Sequence, residues 1–285
     1  MKKTTVSAFA KRKAAGEKIV MCTAYDAPFA AAAADAGIDV MLVGDSVGTT
    51  LLGYSSTLPV TMDDMVRHTQ AVRRGAPGAF LVGDLPFMSY QASMEDGIRN
   101  AGRLIKEAGA DSVKLEGGAE YAELVSKLVS SGIPVMGHIG LMPQSVQVMG
   151  GYKVQGRTDE AVAKLIADAK ALEAAGAFAV VLECVPESAA QAVTDNITIP
   201  TIGIGSGRYC SGQVQVLHDL LGLLEFKPKH AGRYAEVGQI VRDALHAYCE
   251  DVKSGTFPAE ENIFTKQVLF SFTAATSERQ TLRFF

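Results

Sequence analysis

Eight apolar runs of strand length limit most strongly what this chain can fold into. They lie at 19–23, 40–43, 79–83, 112–115, 134–137, 178–182, 200–204 and, more weakly, 214–217. Continuous Val, Ile and Leu runs are typical of strands that are buried on both faces of a parallel sheet. Most of the gaps between the runs carry helix signals. Strand, helix and glycine repeated about eight times predict an α/β fold, the (β/α)8 or TIM barrel.

The helix signals are caps at the start and glycines at the end. Thr61 and Ser93 each precede a segment with an aspartate three positions later, and Gly75 and Gly109 end these segments. An open doubly wound sheet is the alternative architecture. We favour the barrel because the runs lie within about 200 residues and no G-x-G-x-x-G motif follows the first run.

Composition argues against several functional classes. A net charge of -4 and the absence of a Lys/Arg-rich stripe argue against a nucleic-acid surface. No run approaches about 18 apolar residues, so no membrane span is predicted, and residues 1–16 lack the apolar centre of a signal peptide. The four cysteines are far apart without a C-x-x-C motif, which predicts reduced thiols in the cytoplasm rather than disulfides or a zinc site.

Polar side chains follow five consecutive runs, where the active sites of such barrels lie. Two runs end in the same Val-Gly-Asp sequence, which places Asp45 and Asp84 at neighbouring strand ends. Lys114 and Glu116 are two residues apart on the next run and therefore face the same side of a strand. The full candidate set is Asp45, Ser46, Asp84, Lys114, Glu116, His138 and Glu183.

The acidic members of this set predict a cation site. Carboxylates that face one cavity repel one another unless a cation lies among them, and oxygen ligands favour Mg²⁺ or a similar hard ion. Each residue also has a plain structural explanation. The aspartates could be turn or cap residues, the lysine and its neighbouring glutamate an interior ion pair, the histidine a core residue, and Glu183 a solvent-facing residue. Taken together, the set favours a functional site.

Three further features carry weaker signals. The segment 140–156 has 17 residues, which is long for a loop in a compact domain and predicts a lid or binding loop. The glycine-rich stretch 203–207 could receive a phosphate through backbone N–H groups. Without the Lys-Ser/Thr of a P-loop, a tight turn is the commoner explanation. The other histidines, including His218, are interpreted as surface or capping residues.

Short motifs between residues 5 and 264 resemble one family, ketopantoate hydroxymethyltransferase, also called 3-methyl-2-oxobutanoate hydroxymethyltransferase. The motifs are TAYD (23–26), VGDS (43–46), GY (53–54), TLPVT (57–61), GDLPF (83–87), VKLEGG (113–118), GHIGL (137–141), PQS (143–145), GGYKVQG (150–156), LE (182–183), IGIG (202–205) and HD (218–219). The resemblance implies a barrel of the phosphoenolpyruvate/pyruvate type, assembled as a cytoplasmic homodecamer. It implies a single catalytic domain over 1–264, while 265–285 is an extension of unknown role.

The resemblance also implies roles for the strand-end residues. One Mg²⁺ per subunit would be held by Asp45, Asp84 and Glu116. The oxo acid would be bound by Asp45, Ser46, Asp84, Lys114 and His138. Glu183 would be the proton acceptor.

The implied reaction transfers a hydroxymethyl group from 5,10-methylenetetrahydrofolate to 3-methyl-2-oxobutanoate. The product is 2-dehydropantoate (ketopantoate), a precursor of pantothenate and coenzyme A. Mg²⁺ would stabilise the enolate as a Lewis acid, and Lys114 would add positive charge near the developing oxyanion. Glu183 would remove the proton from C3.

Other functions use the same residues differently. A metal-dependent oxo-acid aldolase or carbon–carbon lyase would need the same metal and no folate. A Schiff-base aldolase would use Lys114 as its nucleophile, although a metal site so close would then be superfluous. A barrel retained only for ligand binding or assembly is opposed by the presence of Asp84, Lys114 and Glu183.

Overall fold

The computed structural model describes residues 4–264, in which eight parallel strands close into a barrel. The strands are β1 Ile19–Thr23, β2 Val40–Val43, β3 Phe80–Asp84, β4 Ser112–Glu116, β5 Val135–Gly140, β6 Ala179–Glu183, β7 Thr201–Ile204 and β8 Gly212–Gln215. Each strand pairs with the next in sequence, and β8 pairs with β1. The predicted (β/α)8 barrel is therefore confirmed, and the open doubly wound sheet is excluded.

Helices connect the strands on the outside of the barrel. In chain order, the helices up to residue 235 are α1 Val6–Ala14, α2 Ala27–Asp35, α3 Val47–Thr50, α4 Met62–Gly75, α5 Met94–Lys106, α6 Ala122–Ser130, α7 Val146–Met149, α8 Asp159–Ala174, α9 Glu187–Asn196 and α10 Leu217–Leu221. Helix α11, Val237–Ser254, belongs to a second unit of the chain. The predicted N-terminal caps are present. Thr61 and Asp64 form a reciprocal capping box on α4, and the Ser93 hydroxyl accepts the Asp96 N–H on α5.

The observed position of β8 explains why the sequence signal for this strand was weak. It spans Gly212–Gln215, whereas the apolar pattern predicted 214–217, and Leu217 already belongs to α10. Gly212 pairs with Ile19 of β1 and with Ile202 of β7. A Cβ at Gly212 would collide with the Ile19 carbonyl oxygen. The strand that closes the barrel therefore begins with a residue that carries no hydrophobic signal.

The segment 140–156 is more ordered than a loop prediction implies. Strand β5 extends to Gly140, and a 3₁₀ turn at Pro143–Ser145 leads directly into α7. Gly140 has φ +96°, and a Cβ there would collide with the backbone of Glu183. The chain therefore leaves β5 in close contact with the end of β6.

Aromatic side chains seal the N-terminal end of the barrel. Phe9 of α1 is fully buried, with its ring centre 5.0 Å from that of Phe80 and 4.9 Å from that of Phe178. These rings belong to an apolar cluster inside the barrel that includes Leu42 and Met136. The interior is therefore filled from one end, and only the opposite end, at the carboxyl ends of the strands, is open to a ligand.

By its internal contacts the chain divides into one unit ending at Ala235 and a second beginning at Glu236. In the second unit, α11 spans Val237–Ser254 and ends before Gly255, which has φ +78°. The predicted domain over 1–264 stays a prediction, and the predicted extension, 265–285, lies outside the described residues. No helix within residues 4–264 is long and apolar enough to cross a membrane.

Replacing Phe9 with alanine should destabilise the barrel by about 3–5 kcal/mol, because it removes a buried ring and leaves a cavity among Phe80 and Phe178. Urea unfolding followed by circular dichroism measures the change. Phe226 is 77% exposed, so Phe226→Ala is the matched control and should change stability by less than about 0.5 kcal/mol. Equal losses in the two variants would contradict a sealing role for Phe9.

Candidate active site

All seven candidate residues line one cavity of about 710 Å³ at the carboxyl ends of the strands. They come from the ends of β2 to β6 and from the turn after β2. Asp45, Asp84, Lys114, Glu116 and His138 are almost completely buried, and Ser46 and Glu183 are partly exposed. The structure thus places together residues that are up to 138 positions apart in the sequence, since 183 − 45 = 138.

Strand register sets the contacts among these residues. Asp84 and Lys114 are paired positions on β3 and β4, and the Lys114 Nζ lies 2.8 Å from Asp84 Oδ1. Glu116 pairs with His138 on β5. Neighbouring parallel strands lie about 4.8 Å apart, so inward-facing residues at paired positions are brought within reach of one another.

Burial and mutual repulsion raise the pKa values of two carboxyl groups. Burial is the main cause for Asp45, the Asp84 charge adds to it, and together they raise the pKa of Asp45 to about 7. The pKa of Glu116 is raised well above its usual range by burial and by the Asp45 and Asp84 charges. Lys114 opposes both shifts without cancelling them. The surrounding protein groups therefore do not fully stabilise the charged forms of Asp45 and Glu116.

Lys114 is held in its charged form by the surrounding acids. Burial alone would lower its pKa, but the charges of Asp84, Glu116 and Asp45 outweigh burial, and the pKa is raised. Its Nζ lies 3.3 Å from Nδ1 of His138. Because a charged lysine only donates hydrogen bonds, we assign the imidazole proton to Nε2.

His138 is the contact between Lys114 and Glu183. Burial and the Lys114 charge lower the pKa of His138, which favours a neutral ring. Its Nε2 lies 3.3 Å from Oε2 of Glu183. Glu183 is partly exposed at the end of β6 and lines the cavity. It is thus a carboxylate that reaches the cavity and lies close to the imidazole, although His138 Nε2 makes no hydrogen bond of good geometry.

Neutral residues that the strand-end pattern missed support the site. The Tyr25 hydroxyl is buried and lies 2.8 Å from Ser46 Oγ. Gln144 contacts two of the acids and is described below. Both residues lie within the quoted motifs TAYD and PQS. Motif membership was the only available signal for them, since neither is charged nor directly follows an apolar run.

The weaker predictions have mixed outcomes. Tyr152, Lys153 and Val154 line the cavity, so the segment 140–156 borders it as a binding loop would. In the glycine-rich stretch, the buried Ser206 hydroxyl donates to the Leu182 carbonyl oxygen, which favours a tight turn. The interpretation of His218 as a surface residue is wrong, because its ring is buried 5.4 Å from the Tyr25 ring.

The cavity's oxygen atoms fit a hard cation. Asp84 Oδ1 is buried and makes no hydrogen bond of good geometry, although it is close to Lys114. Within residues 4–264 no group of three or more His, Cys, Asp or Glu side chains is arranged to hold a metal ion. Mg²⁺ usually binds through one or two carboxylates and keeps water and substrate oxygens as its other ligands. Asp45 and Asp84 are therefore sufficient protein ligands for such an ion.

The closed barrel and the acidic cavity at its open end define a (β/α)8-barrel enzyme whose active site is lined by buried carboxyl groups. A family model described as ketopantoate hydroxymethyltransferase matches residues 3–260. The chain belongs to this family.

Individual relatives agree with the family match. A 3-methyl-2-oxobutanoate hydroxymethyltransferase from Pseudothermotoga lettingae is 57% identical over 247 residues, which cover 86% of this chain and 93% of the relative. An enzyme of the same name from Carboxydothermus hydrogenoformans is 56% identical over 266 residues, covering 93% and 96%.

Solved structures share the fold at low sequence identity. Phosphonopyruvate hydrolase in complex with oxalate and Mg²⁺ aligns with a TM-score of 0.61 at 10% identity, covering 96% of this chain and 95% of that one. A 2,3-dimethylmalate lyase of the PEP mutase/isocitrate lyase superfamily aligns with a TM-score of 0.57 at 17% identity, covering 94% of each chain. These likenesses agree with the (β/α)8 barrel fold.

Asp45→Asn should stabilise the metal-free protein at pH 8. The folded pKa of Asp45, about 7, is above its unfolded value, so the folded state binds more protons between about pH 4 and 7. Stability is therefore lost as pH rises through this window. An amide at position 45 does not ionise, so the variant avoids this loss of stability. Each 1 kcal/mol added to the free energy of unfolding should raise the melting temperature by about 2–4 °C.

The control for this prediction is Asp63→Asn. Asp63 is exposed, and hydrogen bonding and the charge of Arg103 lower its pKa, so the substitution should lower stability slightly. Differential scanning calorimetry at pH 5 and pH 8, with EDTA present, measures both variants. A lower melting temperature for Asp45→Asn at pH 8 would contradict the electrostatic account of the cavity.

Proposed function

We propose that this protein transfers a hydroxymethyl group from 5,10-methylenetetrahydrofolate to 3-methyl-2-oxobutanoate and so produces ketopantoate for pantothenate and coenzyme A synthesis. The observation that carries the proposal is the line of groups Asp84, Lys114, His138 and Glu183 inside an acidic barrel cavity. The names of the relatives supply the acceptor substrate and the group transferred. A homodecamer in the cytoplasm is part of the proposal and rests on the resemblance.

Positive and hydrogen-bonding groups in the cavity suit a 2-oxo acid. Lys114 is held charged by its acidic neighbours, so it attracts the substrate carboxylate or keto oxygen. The Ser46 hydroxyl is oriented by Tyr25 and adds a neutral donor. His138 lies beside Lys114 and completes one side of the binding site.

We propose that Asp45 and Asp84 bind one Mg²⁺, with Glu116 as a third ligand directly or through water. When bound, the ion would polarise the keto group as a Lewis acid. Burial and the neighbouring acids raise the pKa values of Asp45 and Glu116, and a cation at this place would stabilise their charged forms, which supports the assignment.

Glu183 is the proposed base. It would take the proton from C3 of the substrate, while the electron pair of the broken C–H bond moves toward the keto oxygen. Lys114 then faces the developing oxyanion with a fixed positive charge. C3 forms a bond to the methylene carbon of the folate, and both C–N bonds of that carbon break. A water oxygen becomes the hydroxyl of the new hydroxymethyl group, and the two folate nitrogens take up the proton lost from C3 and one proton of the water, which releases tetrahydrofolate.

The size of the cavity supports a second, larger substrate. Its volume of about 710 Å³ lies within the roughly 300–1,000 Å³ of sites that take drug-sized ligands. A branched five-carbon acid fills only a small part of this space. Tyr152 and Val154 of the segment 140–156, both well exposed, line the cavity. We therefore propose that the folate binds beside that segment.

Glu183→Gln should slow exchange of the C3 proton of 3-methyl-2-oxobutanoate by about 10²–10⁴-fold, because the amide cannot accept the proton. Proton NMR in D₂O measures the exchange. Binding of the oxo acid in the presence of Mg²⁺, measured by calorimetry, should be retained. Glu95→Gln alters an exposed glutamate and should exchange normally. If Glu183→Gln exchanged the C3 proton at the wild-type rate, Glu183 would not be the base.

Ketopantoate formation should require both Mg²⁺ and the folate. Mass spectrometry should detect product in the complete mixture, none after EDTA treatment, and product again after Mg²⁺ is restored. Turnover of oxo acids without folate would instead indicate an aldolase or lyase. EDTA-resistant activity, with covalent trapping of substrate on Lys114 by borohydride, would indicate a Schiff-base enzyme.

A further inference from the structure

Gln144 donates hydrogen bonds to two of the acids that are proposed to bind the cation. It is buried in the 3₁₀ turn Pro143–Ser145. Its backbone N–H donates to Glu116 Oε2 at 3.0 Å, and its side-chain Nε2 donates to Asp45 Oδ2 at 2.9 Å. One residue of the segment 140–156 thus contacts carboxylates from β2 and β4 whose like charges repel each other.

The amide of Gln144 is held in one orientation. Nε2 donates its second proton to the Leu85 carbonyl oxygen at 2.9 Å. Oε1 accepts from Gln91 Nε2 at 3.0 Å and lies 3.1 Å from the Tyr90 hydroxyl. A flipped amide would place its oxygen against a carboxylate and a carbonyl, both of which are acceptors only. The donor therefore always faces Asp45.

Tyr90 links the same amide to the backbone of β4. Its hydroxyl accepts the Glu116 N–H at 3.1 Å and shares its proton between the Glu116 carbonyl oxygen, at 2.8 Å, and Gln144 Oε1. Tyr90 is itself almost fully buried. The position of the amide is thus fixed to the strand that carries Lys114 and Glu116.

Each acid is left with one oxygen that Gln144 does not occupy. The side-chain amide of Gln144 donates to Oδ2 of Asp45, and its backbone N–H donates to Oε2 of Glu116. Oδ1 and Oε1 remain for other partners. A donor that fixes one oxygen of a carboxylate sets the direction of the other, which is how residues outside the ligand set tune metal sites.

We infer that Gln144 is a positioning residue that orients Asp45 and Glu116 for a divalent cation and couples cation binding to the docking of the segment 140–156. The inference rests on the proposed function, because it assumes that these acids bind the cation. Gln144 itself touches neither substrate nor cation in this account.

Gln144→Met tests the inference, because methionine has a similar length and removes the side-chain donor while keeping the backbone N–H. Mg²⁺ affinity, measured by calorimetry, should fall about 10–100-fold. At saturating Mg²⁺ the rate of C3 proton exchange should return to within about threefold of wild type, since Gln144 makes no contact with Glu183. Gln147→Met, at an exposed position of the same segment, should bind Mg²⁺ like the wild type.

A purely structural role gives a different result. It would lower the melting temperature of the metal-free protein, leave the Mg²⁺ dissociation constant unchanged, and overturn the inference. If Gln144→Met does not fold, Tyr90→Phe replaces it, because it removes the hydroxyl that orients the amide. That variant should weaken Mg²⁺ binding at least threefold, and unchanged affinity would overturn the inference.

The wild-type measurements separate this inference from the proposed function. A wild-type protein that binds no Mg²⁺ and forms ketopantoate in EDTA would refute the proposed metal site, and the inference with it. Wild-type binding and activity that need Mg²⁺, together with full affinity in Gln144→Met, would refute the role of Gln144 alone.

Discussion

The concentration of negative charge at the open end of the barrel is the constraint on which the rest of the site depends. Five acidic side chains and three lysines line the cavity. Asp45, Asp84 and Glu116 are almost completely buried, and Lys114 is the buried one of the three lysines. Buried like charges raise each other's pKa values and destabilise the folded state. The neighbouring groups reduce this cost: Lys114 pairs with Asp84, and Gln144 donates to Asp45 and Glu116. The remaining imbalance is what a cation would neutralise.

The barrel supports this arrangement through the register of its closed sheet and the apolar cluster that fills one end. Parallel register fixes which side chains meet at the rim, as the pairing of Asp84 with Lys114 illustrates. The apolar cluster around Phe9 excludes water from the other end. Charges above such a cluster interact in a low-dielectric environment, where their attractions and repulsions are both stronger than in water. The fold thus strengthens the charge–charge interactions on which the proposed reaction depends.

Much of the fold and of the cavity lining could be predicted from the sequence, and the exceptions have physical reasons. Asp45, Asp84 and Glu183 follow apolar runs, and strand ends meet at one rim in a parallel barrel. Gln144 and Tyr25 give no such signal, because neutral residues outside strands act through contacts that only tertiary structure creates. Strand β8 was displaced in the prediction because close packing demands Gly212 rather than an apolar residue. The roles of the lining residues stay predictions.

The first helix is fastened to the barrel by residues made much later in synthesis. The Lys13 ammonium donates to the carbonyl oxygens of Thr194, Ile197 and Ile199, and β1 is completed by pairing with β8. A chain emerging from the ribosome therefore exposes the unpaired edge of β1 until more than 200 residues have been made. Such exposed edges are prone to aggregation. The edge of β1 thus waits for a strand that comes almost 200 residues later in the chain, although β1 contributes no residue to the predicted site.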